Sequence, residues 1–224
     1  MRFRTRFLIL AASSFWWAIA ARTAERVHNF SHWEPEVAAY ESRDKANPPP
    51  QDAILFAGSS TIRFWSTLAS DFPGHPVINR GFGGTEIVDS THFADRLIFP
   101  HRPHAIFLRA GVNDIHDGKT PAEVFADFQD FVRVIHARLP ECEIYFIGLC
   151  PTISRWTEAE ANHEVDRLVE GYVKTVAHVH YIDAWDMSLD ANGKPRPELF
   201  RDDKLHFSPA GYKILVDRVR PYVR

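Results

Sequence analysis

The sequence predicts an α/β protein: a three-layer α/β/α sandwich built on a five-stranded parallel sheet. Three observations lead there. Five short apolar runs, at 53–57, 77–79, 105–109, 144–148 and 179–183, are rich in Ile, Val and Phe. They show little polar alternation, which marks strands covered on both faces. Longer amphipathic segments separate them, and strands alternating with helices imply parallel βαβ crossovers. Finally, 224 residues with 45% hydrophobic content suffice for one domain core and a short appendage. Five such strands with helices on both sides correspond to a flavodoxin-like arrangement, in which ligands collect at the carboxyl ends of the strands.

Taken in order, residues 1–20 differ from the rest. Arg2, Arg4 and Arg6 precede an apolar run from 7 to 20 that closes on Ala18-Ile19-Ala20. A basic start, a short apolar stretch and small residues at the end are the anatomy of a secretory signal peptide. The run falls short of the roughly 17–25 residues a membrane span needs. The expectation is therefore an exported protein, periplasmic or secreted, with 1–20 removed. A retained N-terminal anchor or a buried first helix are the alternatives, and the anchor would be the protein's sole membrane contact. Removal of 1–20 takes the formal charge from −3 to −6.

Residues 21–51 read as a helical extension (Trp33, Val37 and Tyr40 at helical spacing) and a Pro-rich linker. Asn47-Pro48-Pro49-Pro50 stops that helix, since proline lacks an N–H and clashes with the preceding turn. The main domain is expected over 52–224. Within it Thr120-Pro121-Ala122-Glu123 opens a helix with a capping box and a proline at its first position. Val124, Phe125, Phe128, Phe131, Val132 and Ile135 continue it with a helical period. A second capping box is expected at Thr157 and Glu160, and Ser208-Pro209 opens the last helix. Cys142 and Cys150 flank one strand, about 26 Å apart at strand rise, too far for a bridge. Both are read as buried thiols.

Composition excludes several functions. No basic stripe accompanies the net charge of −3, so nucleic acid is not an expected partner. The 12 histidines include no H-E-x-x-H motif, and no metal is expected. His116, His136 and His163 read as isolated polar residues. No internal repeat or low-complexity segment occurs.

The chemistry-bearing residues cluster just after the apolar runs. The first run ends in Gly58-Ser59-Ser60-Thr61, where a serine opening a helix is either an N-cap or a nucleophile beside backbone N–H groups. No G-x-S-x-G elbow is present. After the second run comes Asn79-Arg80-Gly81-Phe82-Gly83-Gly84, a tight turn or a loop allowing close backbone approach. The lysine of a phosphate-binding loop is missing. The third run leads to Gly111-Val112-Asn113-Asp114, which offers a side-chain amide donor or an ordinary turn. Before the last helix, Asp203 and His206 stand three apart, a spacing at which a carboxylate can hold an imidazole Nδ1–H.

Together the Ser, Gly, Asn and Asp-x-x-His blocks, in that order, resemble the SGNH (GDSL-like) hydrolase superfamily over roughly 52–224. Gly-Ser-Ser-Thr-Ile-Arg-Phe-Trp followed by Asn-Arg-Gly-Phe-Gly-Gly is similar to the branch of platelet-activating-factor acetylhydrolase and lysophospholipase-like esterases. The resemblance implies the SGNH hydrolase fold, with Ser60 as nucleophile, His206 as general base and Asp203 orienting it. It further implies an oxyanion hole from the Ser60 and Gly84 N–H groups and the Asn113 amide, with no cofactor. The family's first block carries Asp where Ser59 stands, and Asp202 is the rival to Asp203. Arg63, three residues beyond Ser60, is a possible substrate contact or a salt-bridging surface residue. Ser154-Arg155-Trp156 could wall the pocket or pack elsewhere. The expected activity is hydrolysis of short-acyl carboxylic esters, on a small-molecule, glycan or lipid substrate. The alternatives are a deacetylase of polysaccharide or cell-wall sugars, a non-catalytic carbohydrate- or lipid-binding domain, and a flavodoxin-like nucleotide binder.

Overall fold

The structure, a computed structural model, describes residues 28–224; the leader expected at 1–20 lies outside them. The elements are α1 (Glu34–Ala46), β1 (Ile54–Gly58), α2 (Ser60–Arg63), α3 (Leu68–Asp71), β2 (Val77–Gly81), α4 (Ile87–His92), α5 (Ala94–Leu97), β3 (Ala105–Arg109), α6 (Val112–His116), α7 (Pro121–Arg138), β4 (Glu143–Ile147), α8 (Ala159–Val173), β5 (Val179–Ile182) and α9 (Pro209–Val219). All five strands are parallel, in the order β2-β1-β3-β4-β5. The predicted α/β/α sandwich is therefore the observed fold.

Successive strand residues feed opposite layers, as the two-residue period requires. Leu55, Ile106, Leu108, Ile144 and Phe146 pack under the face covered by α4, α7 and α8, against Phe128, Phe131, Ile135, Val165 and Val169. Ile54, Phe56, Phe107, Tyr145 and Ile147 serve the other face with Ile62 and Trp65, and with Leu215, Val216 and Val219 of α9. On that face Phe56, Phe107, Tyr145 and His180 occupy paired register positions and stack across four strands at 4.8, 4.6 and 4.6 Å. Such cross-strand aromatic pairs hold register as well as burying area. α1 docks through Val37 on Phe82, Phe93 and Leu97, and the Tyr40 hydroxyl donates to the Gly81 carbonyl at 2.6 Å.

β2 and β3 flank β1 on opposite sides, so the connections after β1 and β3 leave a crevice at the carboxyl ends. The chain can turn there because of Gly58. Its φ is +128°, and a Cβ at that position would lie 2.1 Å from the Arg109 carbonyl oxygen. Gly58→Ala is therefore expected to destabilise the fold by about 3 kcal/mol or more. A thermal melt within a degree of the wild type would contradict this account of the turn.

Two local expectations fare differently. Thr120 caps α7 with the full capping box, accepting from the Glu123 N–H at 3.3 Å while Glu123 accepts from the Thr120 N–H at 2.7 Å. The box expected at Thr157 and Glu160 is absent. Trp156–Glu158 form a 3₁₀ turn that runs straight into α8, so Thr157 sits inside a helical turn and cannot cap. Cys142 and Cys150 are free and buried, and burial pushes the Cys142 thiol up to about 12. Among the described residues no helix is long and apolar enough to cross a membrane.

Candidate active site

Ser60 enters the crevice as the first residue of α2, immediately after the Gly58 turn. Ser59 precedes it in extended conformation and donates its N–H to the Arg109 carbonyl at 3.1 Å, pinning the turn to β3. The one-turn helix is held from below and behind. Ile62 and Trp65 are buried, Asn79 of β2 donates to the Ile62 carbonyl at 2.6 Å, and the Tyr212 hydroxyl of α9 donates to the Thr61 carbonyl at 2.8 Å. With its apolar side committed to the core, α2 leaves Ser60 facing the crevice.

The second contributor is the loop before α9. One oxygen of Asp203 accepts from the backbone N–H groups of Leu205 and His206, both at 2.9 Å. Its other oxygen lies 2.7 Å from His206 Nδ1. The same hydrogen bonds from His206 hold the Asp203 carboxyl down at about 2. A carboxylate only accepts, so Nδ1 carries the proton and Nε2 of the neutral ring is the acceptor. That Nε2 stands 3.0 Å from Ser60 Oγ, across 146 positions of sequence. Phe64 closes edge-on against the imidazole at 5.0 Å, and the following Phe207 is buried on Phe200 and Tyr212. Asp203 and Ser60, rather than Asp202 and Ser59, are the residues bonded to His206.

Asn113 stands near the start of α6, after Gly111. Its amide Nδ2 donates to the Thr85 carbonyl at 2.9 Å, and its Oδ1 accepts from Arg155 Nη1 at 2.8 Å. Ser60, Asn113 and His206 line one cavity of about 30 Å³, closed by Arg109, Leu149, Cys150, Thr152 and Arg155. Gly84 is not on its wall. At φ +77° it faces Trp33, whose Cη2 would lie 3.2 Å from an added Cβ. It lines a neighbouring cleft with His28, Trp33 and Asp117. The Gly84 turn still touches the site through Thr85, the next residue, whose carbonyl holds the Asn113 amide.

Arg63, considered as a substrate contact, does not reach the cavity. It pairs with Glu36 of α1 at 2.9 Å and lines a separate surface cleft. The helical spacing from Ser60 was sound, but a carboxylate on the docked α1 draws the guanidinium away. Of the 154–156 stretch, Arg155 walls the cavity while Trp156 is exposed under the Lys194 ammonium.

Sequence reasoning missed Arg109. It ends β3 with only 4% exposure and donates to the Gly148 carbonyl and, at 3.2 Å, to Cys150 Sγ. An arginine closing the otherwise apolar Ala-Ile-Phe-Leu run was the available signal, since a buried cation needs built partners. Asp166 of α8 braces the same corner by accepting from the Leu149 N–H at 2.9 Å, and burial raises its carboxyl to about 7. Among the described residues no cluster of His, Cys, Asp and Glu could hold a metal ion.

This geometry agrees with the comparison to known families, where residues 49–214 match the GDSL-like lipase/acylhydrolase family. The chain belongs to that family. Solved structures share its fold at low identity. One, from Streptococcus pneumonia and named after platelet activating factor, has a TM-score of 0.77 at 20% identity, covering 87% of this chain and 94% of its own. A GDSL-like lipase from Bacteroides thetaiotaomicron has 0.66 at 17%, covering 87% and 97%. A catalytic mutant of an acetylxylan esterase from Geobacillus stearothermophilus has 0.60 at 14%, covering 77% and 94%. No curated protein sequence matches. In this GDSL-like chain Ser60, Asn113 and His206 share one small cavity, and Asp203 stands behind His206.

Proposed function

We propose that the protein is a serine esterase that cleaves short-acyl carboxylic esters through a covalent acyl-enzyme. The reading is carried by one observation, the continuous relay from Ser60 Oγ through His206 to Asp203 at 3.0 and 2.7 Å. Binding alone has no use for a hydroxyl bonded to an oriented base.

In this reading Ser60 Oγ attacks the ester carbonyl while its proton passes to His206 Nε2. Asp203 holds the ring and stabilises the imidazolium. The tetrahedral oxyanion is met by the Ser60 N–H, which at the first position of α2 has no partner within the helix, and by the Asn113 amide. The Gly84 N–H that the resemblance implies as a third donor lines the neighbouring cleft, so the proposal rests on the first two donors. Collapse breaks the carbonyl–alkoxide bond, and His206 gives its proton to the departing alcohol. Water then repeats the sequence with His206 as base, releasing the acid and restoring Ser60.

Substrate size follows from the cavity. The cavity is small, about 30 Å³, which favours a short acyl group over a long alkyl chain. In this reading a small acyl group such as acetyl sits beside Leu149, Cys150 and Thr152, and longer chains crowd them. The expected order for aryl esters is acetate first, with kcat/KM falling about ten-fold or more by butyrate and further by octanoate. A fluorophosphonate serine probe should label Ser60, located by mass spectrometry. Faster cleavage of octanoate, or absence of labelling, would sink the reading. Acetylated sugars present the same small acyl group, so acetylated xylo-oligosaccharides belong in the same panel.

A further inference from the structure

The amide of Asn113 is held in one orientation by two neighbours that cannot exchange roles. Arg155 is a donor only, and its Nη1 meets Oδ1 at 2.8 Å; the Thr85 carbonyl is an acceptor only and meets Nδ2 at 2.9 Å. Flipping the amide would set donor against donor and acceptor against acceptor. Because the amide is planar, fixing its oxygen and one N–H also fixes the direction of its second N–H. The same Nη1 donates to the Val112 carbonyl at 3.3 Å, so the guanidinium grips both the backbone and the side chain at the start of α6.

Arg155 itself is well supported. It is half-buried and lines the Ser60 cavity. The preceding residue, Ser154, donates its N–H to the Lys204 carbonyl at 3.1 Å, which ties this loop to the one carrying Asp203 and His206. Three residues on, Glu158 pairs with His116 at the end of α6 at 2.7 Å. The loop after β4 therefore stays clamped to α6 even without the arginine side chain.

We infer that Arg155 is a positioning residue for the oxyanion site, orienting the Asn113 amide and polarising it through a charge-assisted hydrogen bond to its oxygen. A cation on Oδ1 draws electron density from the amide and strengthens the remaining N–H as a donor. The benefit grows as negative charge develops on the substrate oxygen, so it belongs to the transition state rather than to substrate binding. The inference rests on the esterase reading for its kinetic consequence, and on the hydrogen bonds alone for its structural one.

The test is a double-mutant cycle in the full chain with an aryl acetate. Arg155→Met is expected to lower kcat by about 10–100-fold, short of the ~10²–10³-fold typical of losing an oxyanion donor outright. KM should stay within about three-fold, because only transition-state binding is affected. Arg155→Lys should recover part of the loss, keeping the charge but not the planar guanidinium that aims Nη1 at both oxygens. In an Asn113→Ala background, Arg155→Met should cost no more than about two-fold, since the interaction is already gone. An equal loss in that background, or a raised KM with unchanged kcat, would overturn the inference by making Arg155 an independent or substrate-binding residue. An NMR arm separates this from the esterase reading. The Asn113 side-chain amide pair, identified by its absence from Asn113→Ala, should shift and exchange faster in Arg155→Met. An unmoved pair refutes positioning whatever the activity. A moved pair in a protein without turnover sustains positioning and refutes the esterase.

Discussion

Ser60→Ala is expected to lower kcat for an aryl acetate by about 10⁵–10⁶-fold, the scale seen when a triad nucleophile is removed. In the proposed mechanism the variant loses the atom that forms the acyl bond, and nothing nearby replaces it. Ser59 also lines the cavity, but His206 Nε2 bonds Ser60 Oγ at 3.0 Å, so only Ser60 has a base to take its proton. Stability should change by less than about 1 kcal/mol, because the lost group is a small hydroxyl facing the crevice. α2 stays anchored by buried Ile62 and by the hydrogen bonds from Asn79 and Tyr212. Circular dichroism and thermal melting check the fold, and steady-state rates check the chemistry. Near wild-type turnover in Ser60→Ala, with the loss appearing in Ser59→Ala instead, would transfer the nucleophile to Ser59.

His206→Ala is expected to cost nearly as much, about 10⁴–10⁶-fold, with the Ser60→Ala/His206→Ala double variant little worse than either single one. The reason is that the serine hydroxyl is a weak nucleophile until its proton has somewhere to go. Asp203 depends on the same ring. Freed of His206, its carboxylate still accepts the Leu205 and residue-206 N–H groups and remains half-exposed, so the fold tolerates the change. The His206 hydrogen bonds keep the Asp203 carboxyl at about 2, below its ordinary value of 3.8. A depressed carboxyl favours the folded state above its unfolded value and loses that effect as pH falls through about 2. Asp203 is thus ionised at every practical assay pH, and no acid limb above about pH 3 comes from it. A few-fold loss in His206→Ala, or fully additive losses in the double variant, would break the relay as a functional unit.

Much of this was legible before any coordinates. Strands covered on both faces carry unbroken Ile, Val and Phe runs, so the five strands appeared within a residue or two of their observed ends. The α7 capping box was readable because Thr120 and Glu123 satisfy each other's backbone within one turn. Thr157 and Glu160 have the same spacing and no box. There the chain enters α8 through a 3₁₀ turn clamped to His116, a contact 42 positions away.

The residues of the relay, Ser60, Asp203 and His206, came from the order of blocks along the chain, together with Gly84 and Asn113. Local sequence carries the strand period, the cap chemistry and the Asp-x-x-His spacing, because each depends on neighbours within a few residues. Their assembly depends on which strand ends lie side by side. The β2-β1-β3-β4-β5 order brings Ser60 to within 3.0 Å of His206, pairs Arg155 with Asn113, turns Arg63 to Glu36 and sets Trp33 over Gly84. Those pairings join side chains 27 to 146 positions apart, where directional hydrogen bonds and close packing choose partners by geometry that one-dimensional spacing does not contain.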